Sequence, residues 1–268
     1  MPRHLGIVFR GTGGIIGQDY VSRTLQACAD LVEEVNPNWP ATMGGIPVGS
    51  AGNPNDLSMQ RSVDIALEDA KRIFLERYAL NPRIMVVIGG YSAGAVVAAK
   101  FREWIQTFYP DNYLCSFSFG DPTRPAGGVY YAGKATPGRG ISSWHYGDIR
   151  DWRHCWLAAP GDMYTSVPDN ATGDIMDTAY DMVTRVQISD PLTTAQAILT
   201  RIPEIGFEVL GNIFAGIEAA SIAIGFVAQN PPTAPHIQYE FREVWPGQTY
   251  LGLAIQHVRD WASRVQPT

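Results

Sequence analysis

Residues 84–100, IMVVIGGYSAGAVVAAK, constrain this chain more than any other stretch. An apolar, largely β-branched run ends in two glycines, the pattern of a strand covered on both faces of a parallel sheet. The Ala- and Val-rich segment behind it predicts a helix over 93–107. A buried strand that turns directly into a helix is half of a βαβ unit, so the chain is committed to layered α/β architecture.

The rest of the sequence repeats that unit. LGIVFR (5–10), YLCSFSFG (113–120) and RHCWLAAPGD (153–162) read as further strands. Val21, Leu25, Cys28 and Val32 share one helical face and predict a helix over 19–35. Met59, Val63, Ala66, Ala70 and Ile73 predict another over 56–79, closed by Asn81-Pro82. Leu251, Ala254, Ile255, Val258 and Ala262 predict a closing helix over 249–265. The expected fold is a central parallel sheet flanked by helices, with sites at the carboxyl ends of its strands. Over 171–230 the character changes. Asp174 and Pro191 look like helix starts, Pro203 opens an Ala/Gly/Ile-rich helical stretch, and no strand pattern occurs. The expected organisation is therefore one α/β domain made of 1–170 and 231–268, with 171–230 as a helical insertion.

Composition removes several classes of function. With 268 residues, 46% of them hydrophobic, the chain can bury a sizeable core. A net charge of −6 and no Lys/Arg-rich run argue against nucleic acid as a partner. Cys28, Cys115 and Cys155 are odd in number and widely spaced, which suits three buried thiols better than a disulfide framework or a zinc site. The sequence opens on MPRHLGIVFRGTGG, too short an apolar run for a signal-peptide core, so no export signal is expected. The most apolar stretch, 205–230, is interrupted by Glu208 and Glu218, so no membrane span is expected either. No H-E-x-x-H and no Cys/His cluster is present, and no metal or cofactor is implied.

Gly90-Tyr91-Ser92-Ala93-Gly94 fits G-x-S-x-G. The pattern is weak alone. Between a buried strand and a helix it is the setting in which a serine is held on a sharp turn with its hydroxyl outward. The alternative is a capping serine between glycines. A serine nucleophile needs a base, and the base an orienting carboxylate. Asp162 follows a later strand in APGDMYTSV, although Pro-Gly-Asp is also ordinary turn chemistry. Asp121 follows the strand next to the nucleophile, where the acid is less usual; Asp148, Asp151 and Asp169 sit on polar loops. Among the histidines, His4 and His145 come too early in the chain. His154 lies inside a strand and reads as a core residue. That leaves His236, in the loop TAPHIQY, and His257, on the last helix. The loop gives the imidazole freedom to reach over the sheet, which favours His236. Thr12, in RGTGG after the first strand, and the backbone of Ala93 are the expected oxyanion donors. GTGG lacks the lysine of a phosphate-binding loop.

RGTGG (10–14), GGYSAGAVV (89–97), SFGDPTRPAGG (118–128) and APGDMYTSV (159–167), with a helical stretch before PHIQY, resemble the cutinase-like serine esterases of the α/β-hydrolase class. More closely, they resemble the lysin B family of phage mycolylarabinogalactan esterases. The resemblance implies Ser92 as nucleophile, Asp162 as acid, His236 as base, and Thr12 and Ala93 as the oxyanion hole. It implies hydrolysis of the ester between mycolic acids and arabinogalactan, with a lipid ester as the molecular partner. A monomer made in the host cytoplasm and acting on the outer envelope at lysis is the matching expectation; a general cutinase- or lipase-like esterase is the alternative. Arg10 stands where a His is common, Ala93 where a Gln is frequent and Asp121 where an Asn is usual. Phe207, Ile213, Phe214 and Phe226 in the insertion either line an acyl groove or pack the insertion onto the core.

Overall fold

Five strands run parallel in the order β2-β1-β3-β4-β5. They are β1 (His4–Phe9), β2 (Val32–Val35), β3 (Val86–Tyr91), β4 (Tyr113–Phe119) and β5 (His154–Leu157). The computed structural model describes residues 3–44, 48–128, 136–185 and 233–267. A parallel sheet must be covered on both faces. Helices α2 (Met59–Leu80), α3 (Ala93–Phe108) and α4 (Ala171–Arg185) contribute to the core on one face, where Phe74, Phe101, Ile105 and Tyr180 pack. Helices α1 (Tyr20–Gln26) and α6 (Tyr250–Ala262) cover the other, through Val21, Leu25, Leu253 and Val258. Between them lies the one-turn helix α5 (Ala234–Ile237), followed by a small hairpin of β6 (Glu243–Trp245) and β7 (Gln248–Thr249). This is the expected α/β layout, with all five carboxyl ends of the parallel strands at one edge.

Caps set the helix limits. Ser58 Oγ accepts from Arg61 N at 3.2 Å and starts α2; Thr249 Oγ1 accepts from Gly252 N at 3.0 Å and starts α6. Asn170, and not Asp174, starts α4, its Oδ1 accepting from Thr172 N at 2.9 Å. Asp174 instead pairs with Arg139 in the first turn. The helix expected over 19–35 is also corrected. It stops at Gln26, turns through Ala27–Leu31, and Val32–Val35 pairs with β1 from His4↔Val32 to Ile7↔Val35. Val21, Leu25, Cys28 and Val32 are all buried in one cluster. Their spacing therefore recorded shared burial, and the open edge of β1 took the second half as a strand.

Helix α4 lies at the start of the expected insertion. Its Ile175, Met176 and Tyr180 join the same core as Met59 and Val63 of α2. The remainder of that segment, with Pro191, Pro203, Phe207, Ile213, Phe214 and Phe226, lies outside the described residues. The three cysteines are buried and unpaired, as expected of small apolar side chains. No helix among the described residues is long and apolar enough to cross a membrane.

The Gly/Pro-rich loop after β4 shows no periodicity, yet one side chain ties its described residues together. Arg124 is fully buried and donates to five carbonyls, those of Thr165, Gly128, Thr136, Pro137 and Gly138, at 2.7–3.3 Å. Thr165 lies three residues beyond Asp162, so this arginine ties the loop after β4 to the loop after β5.

Candidate active site

Ser92 sits at the carboxyl end of β3, the central strand, with φ 55° and ψ −126°. A non-glycine residue at positive φ is strained, and the surroundings hold it there. Its N–H donates to Phe119 O at 3.0 Å, and its C=O accepts from Ala95 N at 2.9 Å. The flanking glycines are required by contact. A Cβ at Gly90 would lie 2.5 Å from Ala95 Cα, and one at Gly94 would lie 2.3 Å from both Phe9 O and Arg10 O. Ser92 precedes α3 but makes no capping bond with its side chain. Its hydroxyl is left for another partner.

That partner is His236, whose Nε2 lies 2.9 Å from Ser92 Oγ. The Nδ1 on the other side of the ring lies 2.9 Å from Asp162 Oδ2 and 3.1 Å from Oδ1. Exposure decreases along the row: Ser92 is partly open, His236 is 7% exposed and Asp162 is 0% exposed. Asp162 is positioned by its own turn, which places its Oδ1 to accept from Tyr164 N at 3.0 Å. His236 is carried by α5, a single helical turn where the sequence suggested open loop.

Three tyrosines and a glycine that sequence reasoning did not single out enclose the pair. The His236 ring packs against those of Tyr164 and Tyr91, with centroids at 4.5 and 5.2 Å. Tyr91 also donates its hydroxyl to His236 O at 2.9 Å, which ties the histidine turn to β3. Tyr239 donates to Asp162 Oδ2 at 2.5 Å. Burial pushes all three phenols above their usual range, so they are neutral donors near pH 7. Gly120, at φ +53°, faces the imidazole directly. A Cβ there would lie 2.7 Å from His236 Nδ1 and 3.0 Å from Asp162 Oδ2. The sequence carried only faint signals of these roles: Tyr91 occupies the free position of G-x-S-x-G, and Tyr239 follows His236 by three residues.

The turn after β1 lies against Ser92. A Cβ on Gly11 would lie 2.7 Å from the Tyr91 ring and 3.5 Å from Ser92 Cβ. The turn is held by Arg10, which donates to Gly14 O and Trp39 O, and by Asp19, which accepts the Gly11 N–H at 3.0 Å. Gly13 and Gly14 also spend their N–H groups, on Ala41 O and Gly11 O. Among the described residues none takes a hydrogen bond from Thr12. Ala93 is the first residue of α3, where the N–H has no partner within the helix. Thr12 and Ala93 thus stand on the two turns that meet at Ser92.

The other candidates lie elsewhere. Asp121 is buried and accepts from Ser118 Oγ, Thr123 N and Thr123 Oγ1 at 2.7–2.9 Å. Asp148, Asp151 and Asp169 form ion pairs with Arg150, Arg153 and Arg139. His154 lies between Ser116 Oγ at 2.6 Å and Ser118 Oγ at 3.2 Å. This second Ser-His group is only 1–5% exposed, and burial holds the imidazole well below its usual pKa, so it is a closed core network. His257 is 0% exposed, with Nε2 on the carbonyls of Ser116 and Arg153.

The chain has an α/β fold, a central parallel sheet flanked by helices, with Ser92, His236 and Asp162 in contact at its carboxyl edge. Among solved structures it is similar to lysin B from Mycobacteriophage D29, with 16% identity, 96% of this chain and 99% of that chain covered, and a TM-score of 0.55. Looser matches are a cutinase-like protein from Cryptococcus sp. (19% identity, 69% and 89% covered, TM-score 0.47) and the catalytic core domain of acetyl xylan esterase from Trichoderma reesei (15% identity, 70% and 97% covered, TM-score 0.48). No protein-family model and no curated protein matches the chain.

Proposed function

We propose that the chain is a serine ester hydrolase that cleaves the bond between mycolic acids and arabinogalactan. The observation that carries the hydrolase reading is the continuous contact from Ser92 Oγ through His236 to Asp162 at the carboxyl edge of a cutinase-like sheet. Ser92 Oγ attacks the ester carbonyl while His236 Nε2 takes its proton. Asp162 keeps the Nδ1–H directed at itself and stabilises the imidazolium that forms. The oxyanion meets the N–H of Ala93 and the N–H or hydroxyl of Thr12. Collapse expels the sugar alcohol, which takes the proton from His236. Water, activated by the same imidazole, then releases the free acid.

The mycolyl substrate rests on the sequence resemblance to phage mycolylarabinogalactan esterases and on a fold shared with lysin B over nearly the whole of both chains. Production in the host cytoplasm, action on the outer envelope at lysis, and residues 171–230 as a helical insertion beside the acyl site belong to the same proposal. Labelling with a fluorophosphonate and peptide mapping tests the chemistry. Label on Ser92, with loss of turnover in Ser92→Ala and His236→Ala, is expected. Retained turnover in His236→Ala with loss in His257→Ala would overturn the assignment of the base. Release of free mycolate from mycolylarabinogalactan, set beside hydrolysis of short p-nitrophenyl esters, tests the substrate. Turnover of the short esters alone favours the general cutinase- or lipase-like alternative.

A further inference from the structure

Two donors compete for one oxygen of Asp162. Oδ2 accepts from His236 Nδ1 at 2.9 Å and from the Tyr239 hydroxyl at 2.5 Å. Asp162 has no exposed surface, and neither has Tyr239. A buried carboxylate without donors is costly and moves toward its neutral form. A phenol that cannot ionise is a permanent donor, and it withdraws charge from the oxygen that faces the imidazole. Tyr239 itself has little freedom. Its ring packs against Tyr20, Phe119 and Tyr250 with centroids at 5.4–5.9 Å, and its oxygen also accepts from Ala159 N at 3.3 Å.

We propose that Tyr239 is a positioning residue for the proposed Ser92–His236–Asp162 relay, holding the Asp162 carboxylate ionised and oriented and setting the basicity that it confers on His236. The inference rests on the catalytic reading above. A donor on the carboxylate stabilises its charge and weakens the pull of that oxygen on the His236 Nδ1–H; removing the donor restores the pull. The other titratable groups that act on Asp162 are Tyr91 from β3, Tyr164 from the loop after β5, Arg124 from the loop after β4 and Tyr250 from α6. Phenols and a guanidinium keep their charge state near pH 7.

The test is the pH dependence of kcat/KM on a short p-nitrophenyl ester, with an NMR titration of the His236 Cε1–H. Tyr239→Phe keeps the ring and removes the donor. Its acid-limb midpoint is expected to rise by about 0.5–1 unit, the effect of losing one hydrogen bond to the charged form. Site-specific 3-fluorotyrosine at 239, a stronger donor of nearly the same shape, is expected to lower the midpoint. Tyr20→Phe removes a hydroxyl from the same aromatic cluster and is expected to leave it in place. Midpoints that coincide in wild type, Tyr239→Phe and the fluorinated protein would overturn the proposal, even if Tyr239→Phe is slower or less thermostable. An unlabelled Ser92 in wild type would instead defeat the hydrolase reading, and the NMR titration would still report on Tyr239.

Discussion

Gly94→Ala adds one methyl group at the most crowded point of the Ser92 turn. The new Cβ would stand 2.3 Å from Phe9 O and Arg10 O. Real Cβ contacts essentially never fall below 3.0 Å and are ordinary from 3.4 Å, so the gap must open by about 0.7–1.1 Å. Both opposing atoms are backbone, and Phe9 is registered against Gly90 in the sheet, so no side chain can swing aside. The movement falls on the end of β1 and on the turn Gly11–Thr12. Misplacing an oxyanion donor by about 1 Å costs on the order of 100-fold in kcat. Overpacking costs about 1–3 kcal/mol of stability, a fall in Tm of about 2–10 °C. The assay is kcat and KM on a short p-nitrophenyl ester well below Tm, with a thermal melt of the same sample. The expected result is a large loss in kcat with little change in KM. A kcat within about threefold of wild type would refute the reasoning that the β1 turn takes part in the transition state.

The remaining predictions concern the acid and a buried histidine. Asp162→Asn keeps the shape but no longer favours the His236 tautomer with hydrogen on Nδ1, and kcat should fall on the order of 10⁴-fold while Ser92 stays in place; a loss under tenfold would show that another group orients the imidazole. His257 is buried, and desolvation lowers its pKa from 6.5 to about 4. The unfolded chain then binds the extra proton between those values, so this contribution is complete above pH 6.5 and is lost as pH falls toward 4. The loss is about 3 kcal/mol. Chemical denaturation of wild type at pH 7 and pH 4.5 should show it, and His257→Gln should reduce the difference between the two. An unchanged difference would place the acid sensitivity elsewhere.

Much of the candidate site was legible because its signals are local. The turn at Ser92 is written in adjacent residues, a buried strand, two glycines that admit close contact, and a helix. Asp162 could be selected because its loop follows a strand, and His236 because the other histidines lie in strands, in helices or too early in the chain. The limits of α1 were not legible in the same way. Val21, Leu25, Cys28 and Val32 are buried together whether or not one helix carries them, so periodicity could not separate helix from strand. That decision belonged to the unpaired edge of β1, which no local pattern reveals.

The sequence by itself determined the parallel α/β layout, the strained serine turn, the three buried thiols and the short list of acids and bases. Each depends on patterns within some twenty residues. Only the tertiary structure decided that His236 rather than His257 meets Ser92, since α5 brings the first over the sheet edge while α6 buries the second against backbone carbonyls. It also decided the enclosure of the pair by Tyr91, Tyr164, Tyr239 and Gly120. These residues come from β3, from the turn that carries Asp162, from just beyond α5 and from just beyond β4, and their roles arise only when the fold buries a carboxylate and most of an imidazole, which must then find their donors and packing within the protein.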